Sequence, residues 1–300
     1  MVMVKYILYQ LNLVKKLYEK HPTFSEPDPN AIVWRYIDFP KLVSLLDRKA
    51  LFFVKASKLF DPFEGTLPEF NKISRPSVYA GYKDKFPDDE SFNKFIDSVH
   101  DLEQTFKLLK PTTLINSWYI NEYESAAMWD LYSHRNTGIA IQSNFKNLSE
   151  SFKDNKDDVV WIGKVNYIDF NKEWMNEWNV SEAFIIKRKS FEHEHELRAI
   201  TCLPEIGFGD PILSESDKLR ERISPVPKRK LDPAQLIDSG KYVHVNLDIL
   251  IEQVYVSPLA KPWFIEVVKS ILAKFNISEE KKLSDRNYIL YLNYEFRYYV

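Results

Sequence analysis

Nine consecutive residues, Ser190-Phe191-Glu192-His193-Glu194-His195-Glu196-Leu197-Arg198, gather three carboxylates, two imidazoles and a guanidinium. An apolar run, Ala199-Ile200-Thr201-Cys202-Leu203, follows directly and reads as a β-strand. If the pleat begins inside the charged stretch, Glu192, Glu194 and Glu196 share one face, while His193, His195 and Leu197 share the other. Three like charges on one face repel at neutral pH, so solvent, arginines, a cation or a substrate must offset them. A metal site is one chemistry these residue types allow. Two histidines two apart on a strand can chelate an ion, with carboxylates or His134 completing the shell. Against it, a regular strand turns the histidines away from the glutamates, and the chain has no His-Glu-x-x-His motif. The plain alternative is a solvated edge-strand face, because charge runs are usually exposed. Nucleophilic catalysis has less behind it: Cys202 sits in an apolar strand, where a thiol is inert, and no Gly-x-Ser-x-Gly turn is present.

These residues need elements to position them. Ile7, Leu11, Val14 and Leu17 recur at helical spacing, predicting a helix over residues 4–20 that Pro22, Pro27 and Pro29 terminate. Ile32-Val33-Trp34-Arg35-Tyr36 reads as a strand. Asp38 caps the following helix, Pro40 lies in its first turn, and Leu42, Val43, Leu45 and Leu46 form its buried face. Leu51-Phe52-Phe53-Val54 is a second strand, leading to a turn at Leu59-Phe60-Asp61-Pro62-Phe63-Glu64-Gly65. Residues 67–110 are helical and charged. Strands follow at Thr113 to Tyr119 and Gly138 to Ile141, with a helix over Glu124 to Tyr132 between them. Val159 to Tyr167 reads as one long strand or a hairpin. Glu182 to Arg188 reads as a helix whose cationic end, Lys187-Arg188-Lys189, lies near the acidic stretch. A helix is expected around Ser214 to Arg222, a strand at Ile251 to Val256, and a helix over Trp263 to Phe275 with a stripe of Phe264, Val267, Val268, Ile271 and Leu272. Strands interspersed with helices, without regular βαβ alternation, predict an α+β fold with a mixed or antiparallel sheet. We read one domain over 1–300: a core over about 31–205, a helical insertion over about 67–110, and a C-terminal α/β extension over about 241–300.

Bulk properties narrow the function classes. The 300 residues carry a formal net charge of -2 and 45% hydrophobic content, which suits a globular core and argues against a polybasic nucleic-acid binder. A single cysteine excludes a disulfide framework and fits a reducing cytosol. Met1 to Val14 is too short to span a bilayer and lacks a small-residue cleavage site, so a cytoplasmic protein without membrane attachment is expected. Only 7 glycines are present, and neither glycine-rich phosphate loop is found, so side chains must do any nucleotide binding.

Several segments together resemble the bacterial family catalogued as domain of unknown function 2971. They are Trp34-Arg35-Tyr36 with the Leu-rich helix after it, Leu51-Phe52-Phe53 running to Asp61-Pro62-Phe63-Glu64-Gly65, and Ser117-Trp118. Ala127-Met128-Trp129-Asp130-Leu131-Tyr132 followed by Thr137-Gly138-Ile139-Ala140-Ile141, then Val165-Asn166-Tyr167, Phe191 to Arg198, and Val254-Tyr255-Val256-Ser257-Pro258 complete the set. The Met-Trp-x-x-Tyr and Glu-x-Glu-x-Arg elements are the more specific parts. Two positions depart from the family pattern: Phe60 stands where an Asn precedes Asp-Pro, and Phe191 where a Trp precedes the acidic motif.

The order of elements looks similar to the ADP-ribosyltransferase fold, in which an early Arg or His and a late Glu flank a nicotinamide dinucleotide. The resemblance thus implies an enzyme that uses NAD as substrate, with no metal, in bacterial conflict or phage defence. Under it, Arg35 contacts phosphate or ribose through its planar fork. Glu196 stabilises the oxocarbenium-like cation formed as nicotinamide leaves, and Glu194 orients the acceptor. Tyr36, Ser57, Trp118, Tyr119, Trp129 and Tyr132 complete the dinucleotide site, the rings by stacking. Structural roles compete: Arg35 could pair with one of these glutamates or with Glu64, and Met128, Trp129 and Tyr132 fit a core stripe. A metal-dependent nuclease or hydrolase and a non-catalytic ligand-binding regulator stay open. So does the acceptor, whether protein, nucleic acid, small molecule or water.

Overall fold

The computed structural model describes residues 18, 20–100, 102–133, 136–155, 158–177, 179–203, 236–237 and 239–277. His134, the expected helix around Ser214 to Arg222 and the aromatic segment 291–300 lie outside them. Of the expected first helix only Tyr18 and Lys20 are described, and Tyr18 forms a parallel bridge to Val160.

Strand β1 (Ile32–Asp38) runs into helix α1 (Phe39–Arg48) and strand β2 (Ala50–Lys55). Asp38 accepts the Lys41 N–H at 2.8 Å, Pro40 occupies the first turn, and Leu42, Leu45 and Leu46 are buried. Lys49, in the left-handed region at φ 48°, ends the helix and turns the chain directly into β2. Three helices follow, α2 (Glu69–Ala80), α3 (Asp89–His100) and α4 (Leu102–Leu109), and then β3 (Thr113–Ile120), α5 (Ala126–Tyr132), β4 (Gly138–Asn144) and α6 (Phe145–Glu150). The chain continues through β5 (Trp161–Lys164), β6 (Asn166–Ile168), β7 (Ile186–Arg188) and β8 (Glu196–Cys202). The last described elements are β9 (Leu236–Ile237), β10 (Gly240–His244), α7 (Leu247–Leu250), β11 (Gln253–Val256) and α8 (Pro262–Lys274). The fold is α+β, with a largely antiparallel sheet of nine strands among the described residues and a separate parallel β6–β7 pair.

Two readings change. Val159 to Tyr167 is neither one strand nor a hairpin, because β5 joins the main sheet through β8 while β6 pairs with β7. Glu182 to Arg188 is a 3₁₀ turn at Glu182–Phe184 followed by β7, so β-branched Ile185 and Ile186 prevail over a helical reading.

The sheet forks at β3. One edge of β3 pairs with β8 from Thr113↔Cys202 to Tyr119↔Glu196. Its other edge is shared: β2 pairs at Val54↔Ile115 and Lys55↔Leu114, and β1 at Val33↔Ile120 and Trp34↔Tyr119. Residues 116–118 of that edge therefore lie between two diverging arms. One arm is β1–β4–β11 and the other β2–β10–β9. Strands β10 and β11 thus belong to the same sheet as the early strands.

The main core forms on one face, where Val33, Ile37, Leu114, Trp118, Leu197 and Ala199 meet α1 and the Phe264–Val268–Leu272 stripe of α8. The opposite pleat carries an aromatic cluster, Trp34, Tyr36, Tyr119, Met128, Trp129, Ala140 and Tyr255. Period-2 alternation thus gives β3 and β8 one hydrocarbon face and one face free for aromatic and ionic side chains.

Candidate functional site

The Ser190–Arg198 stretch does not form a regular strand. Lys189–Glu194 is a 3₁₀ turn, His195 takes a left-handed conformation at φ 37°, and β8 starts only at Glu196. The reversal at His195 sends Glu194 and Glu196 inward together, while Glu192, His193 and His195 stay exposed. The expected face of three carboxylates is thereby reduced to two. The His195 ring stacks on Tyr119 at 5.9 Å, outside the ionic cluster. Among the described residues no group of three His, Cys, Asp or Glu side chains converges as a metal site would require. Cys202 is the last residue of β8, and burial pushes its thiol up to about 11, a Thr113 hydrogen bond acting in the other direction, so it is a poor nucleophile as its strand setting suggests.

Offsetting charge reaches the two carboxylates from two cations, Arg198 and Lys187. Arg198, 1% exposed, spans Glu196 and Glu64: its Nε and Nη2 donate to Glu196 at 2.8 and 2.9 Å, and its Nη1 and Nη2 to Glu64 at 2.8 and 2.7 Å. The Phe184 carbonyl accepts a further Nη1 bond at 2.9 Å. The Lys187 ammonium binds Glu194, stands 3.3 Å from Glu196 and 3.6 Å from Glu64, and lies over the Phe191 ring at 4.7 Å. Tyr132 donates to Glu194 at 2.7 Å, and Tyr167 accepts the Glu196 N–H at 2.8 Å. Three carboxylates, Glu64, Glu194 and Glu196, thus share two cations, each carboxylate within reach of Lys187.

The electrostatics follow from this arrangement. Burial alone would raise the Glu196 carboxyl, but the Arg198 and Lys187 charges, with hydrogen bonds from Arg198 and Ser117, hold it down at about 2. Burial opposes the Lys187 charge too, and the Glu196 and Glu194 carboxylates outweigh it, raising the ammonium above its ordinary value. Burial pushes the Tyr132 and Tyr167 phenols up, and the neighbouring glutamates add to the rise. Glu196 is therefore a carboxylate at neutral pH, and Lys187 and Arg198 are cations.

The fork brings Arg35 to this cluster. Ladder register sets Glu196 level with Tyr119 and Tyr119 level with Trp34, so Arg35 starts from the pleat opposite to Glu196. Because no strand pairs with 116–118 on that edge, the Arg35 guanidinium bonds the Ser117 carbonyl and lies 6.0 Å from the Trp118 ring centroid. Burial lowers Arg35 to about 10, the Glu196 charge acting in the other direction, so it stays cationic at neutral pH. Among the described residues Arg35 makes no ion pair with Glu64 or with the acidic stretch, and the Ser117 carbonyl is the only hydrogen-bond partner of its guanidinium.

Between the arms lies a cleft of about 690 Å³. Of the residues expected to form a site, Arg35, Tyr36, Trp118, Tyr119, Tyr132, Glu194 and Glu196 all line it. Ser57 and Trp129 do not. Ser57 is exposed in the turn after β2, where its N–H bonds the Lys110 carbonyl at 3.1 Å. Trp129 is 5% exposed, donates to Glu124 at 2.9 Å and packs edge-on against Tyr36 at 5.0 Å, as the apolar stripe of α5 favours. Trp118 lines the cleft from a buried position, its indole N–H bonded to Asn116 at 2.7 Å. Phe60 stands at the cleft 97% exposed.

Sequence reasoning did not identify Lys187, Glu64 and Arg198 as one network. Two signals bore on it: the cationic run at Lys187 and the Glu-x-Glu-x-Arg spacing that puts Glu194, Glu196 and Arg198 on one side of the backbone. Glu64 carried no local signal, because its partner lies 134 positions away.

No family model, curated protein or solved structure matches the chain. Chemistry in the cleft therefore has to be argued from its own residues.

Proposed function

We propose that the cleft binds NAD and that the protein is an ADP-ribosyltransferase-like enzyme of bacterial conflict or phage defence. One observation carries the reading: Arg35 and Glu196, from strands far apart in sequence, line a single cleft of about 690 Å³, within the range that holds cofactors. Arg35 has guanidinium N–H groups left for a phosphate or ribose oxygen, because Ser117 takes only one bond from it. Glu196, held ionised at about 2, is a fixed negative charge able to accept from a ribose hydroxyl and to stabilise a developing ribosyl cation. In that step the glycosidic C–N bond breaks, its electron pair leaves with neutral nicotinamide, and an acceptor oxygen or nitrogen supplies a new pair to the ribose carbon and loses a proton. Glu194, bonded to Lys187 and Tyr132, lies beside Glu196 to orient that acceptor. Tyr36, Trp118 and Tyr119 offer ring faces for nicotinamide, and Phe60 an exposed one.

A second reading, a ligand-binding regulator without turnover, draws support from the same cluster. Two cations already neutralise Glu196, which weakens the field it presents to a developing cation. Incubation with NAD labelled in the nicotinamide ring separates the two. Release that Glu196→Gln abolishes supports the enzyme; saturable binding without release supports the regulator; neither binding nor release sinks both.

A further inference from the structure

A second concavity lies on the far side of the Asp61–Gly65 turn. Asp61 and Glu64 face the cleft described above, whereas Pro62, Phe63 and Gly65 line a separate pocket of about 380 Å³. That size also falls within the small-ligand range. Its apolar wall comes from Phe63, Leu67, Phe106 and Phe170, with Phe63 and Phe170 edge to face at 6.3 Å. Arg188 lies over the Phe63 ring at 4.5 Å, so a flat ring would meet the pocket-facing surfaces of Leu67, Phe106 and Phe170 and the part of Phe63 that Arg188 leaves uncovered.

Charge at the rim is one-sided once existing pairs are removed. Six charged residues line the pocket: Glu69, Lys72, Glu103, Lys107, Lys110 and Arg188. Glu69 is satisfied by Lys72 at 3.3 Å, Glu103 faces Arg75 at 3.6 Å, and Arg188 is held by Asp61 at 3.0 Å. Lys107 and Lys110 are what remain. Among the described residues neither ammonium is paired with a carboxylate, and the Lys110 ammonium bonds only the Pro62 carbonyl, at 2.9 Å. Lys107 lies in the last turn of α4 and Lys110 directly follows the helix, and both line the pocket. We infer that this pocket is a second binding site, independent of the cleft, for a small anion carrying an aromatic ring. The ring packs among Phe63, Phe106 and Phe170 while Lys107 and Lys110 hold the anionic group.

Calorimetric titration with phenyl phosphate tests the site, with inorganic phosphate and phenol as separate probes of charge and ring. Phenyl phosphate is expected to bind saturably and about tenfold or more tightly than either fragment, since both halves of the pocket contribute. Lys107→Gln with Lys110→Gln is expected to weaken it by about tenfold or more. Asn171→Trp, which places a bulky ring at an exposed lining position, is expected to block it. Melting temperature reports whether each variant is folded, and Arg35→Lys, in the other cleft, is expected to leave phenyl phosphate binding unchanged. No binding to the wild type overturns the site. So does equal binding of inorganic phosphate alone, or a loss caused by Arg35→Lys and not by the pocket variants. None of these readings depends on whether NAD is cleaved.

Discussion

Replacing Glu196 by Gln keeps the shape of the side chain and removes the charge that two buried cations share. A neutral amide stands close to a protonated carboxyl, so the cost can be taken from how strongly the fold favours the ionised form. The fall from the ordinary 4.5 to about 2 corresponds to roughly 3 kcal/mol at ~1.4 kcal/mol per pH unit. Arg198 keeps both bonds to Glu64, and Lys187 keeps Glu194, so neither cation is left isolated and the loss stays at the lower end of the ~3–5 kcal/mol expected for breaking a buried pair. The sign of the pH effect follows from the depressed value: Glu196 adds its stability above the unfolded carboxyl range, and that stability drains away as pH falls toward about 2. Urea unfolding should therefore find Glu196→Gln about 3 kcal/mol less stable than the wild type at pH 7, with the two curves converging as the solution is acidified. A variant as stable as the wild type at neutral pH would refute this account of the cluster. So would a difference that persists undiminished at pH 2. Because the substitution weakens the fold, loss of nicotinamide release counts as support for a catalytic Glu196 only at temperatures where the variant is still folded.

Arg35→Lys should lower NAD affinity by about tenfold or more while moving the melting temperature little, because the guanidinium makes one bond to protein and no ion pair among the described residues. Equal losses of binding and stability would return Arg35 to a structural role. Lys241→Met breaks the buried bond to Asp158, 2.6 Å long between side chains 2% and 3% exposed, and should cost about 3–5 kcal/mol in urea unfolding. In Gly240→Ala a Cβ would stand 2.0 Å from the Phe53 carbonyl oxygen in the β10–β2 ladder, so about 2 kcal/mol or more should be lost by the same measurement.

How far the sequence disclosed this arrangement depends on how local each signal was. The start of α1 was legible because Asp38, Pro40 and Leu42 lie within four residues of one another, and its buried face because the leucines recur at helical spacing. Strands β1 to β4 were legible as dense runs of apolar and aromatic residues. The acidic stretch was recognised, but its geometry only in part: Glu194 and Glu196 do share a side, whereas the 3₁₀ turn at Lys189–Glu194 leaves Glu192 on the surface. Glu196 and Arg35 could be nominated separately, yet the fork that brings them to one cleft is a property of how β3 divides its edge between β1 and β2. Long-range pairing of this kind leaves no mark within a short window. Ser57 failed for the opposite reason: it neighbours β2 in sequence but lies beyond the end of the strand, facing solvent.

The divided edge of β3 also sets which deformation of the sheet is mechanically easy. Each arm is fastened to the central strand by two register pairs, and no ladder of backbone bonds runs from β1 to β2. Spreading the gap therefore breaks no ladder between the arms, but it works against the side-chain bonds that cross to β3, Arg35 to the Ser117 carbonyl and Asn116 to the Phe52 carbonyl. The buried ionic knot at Arg198 ties β8 to the Glu64 turn that follows β2, and so anchors that arm to the central strands.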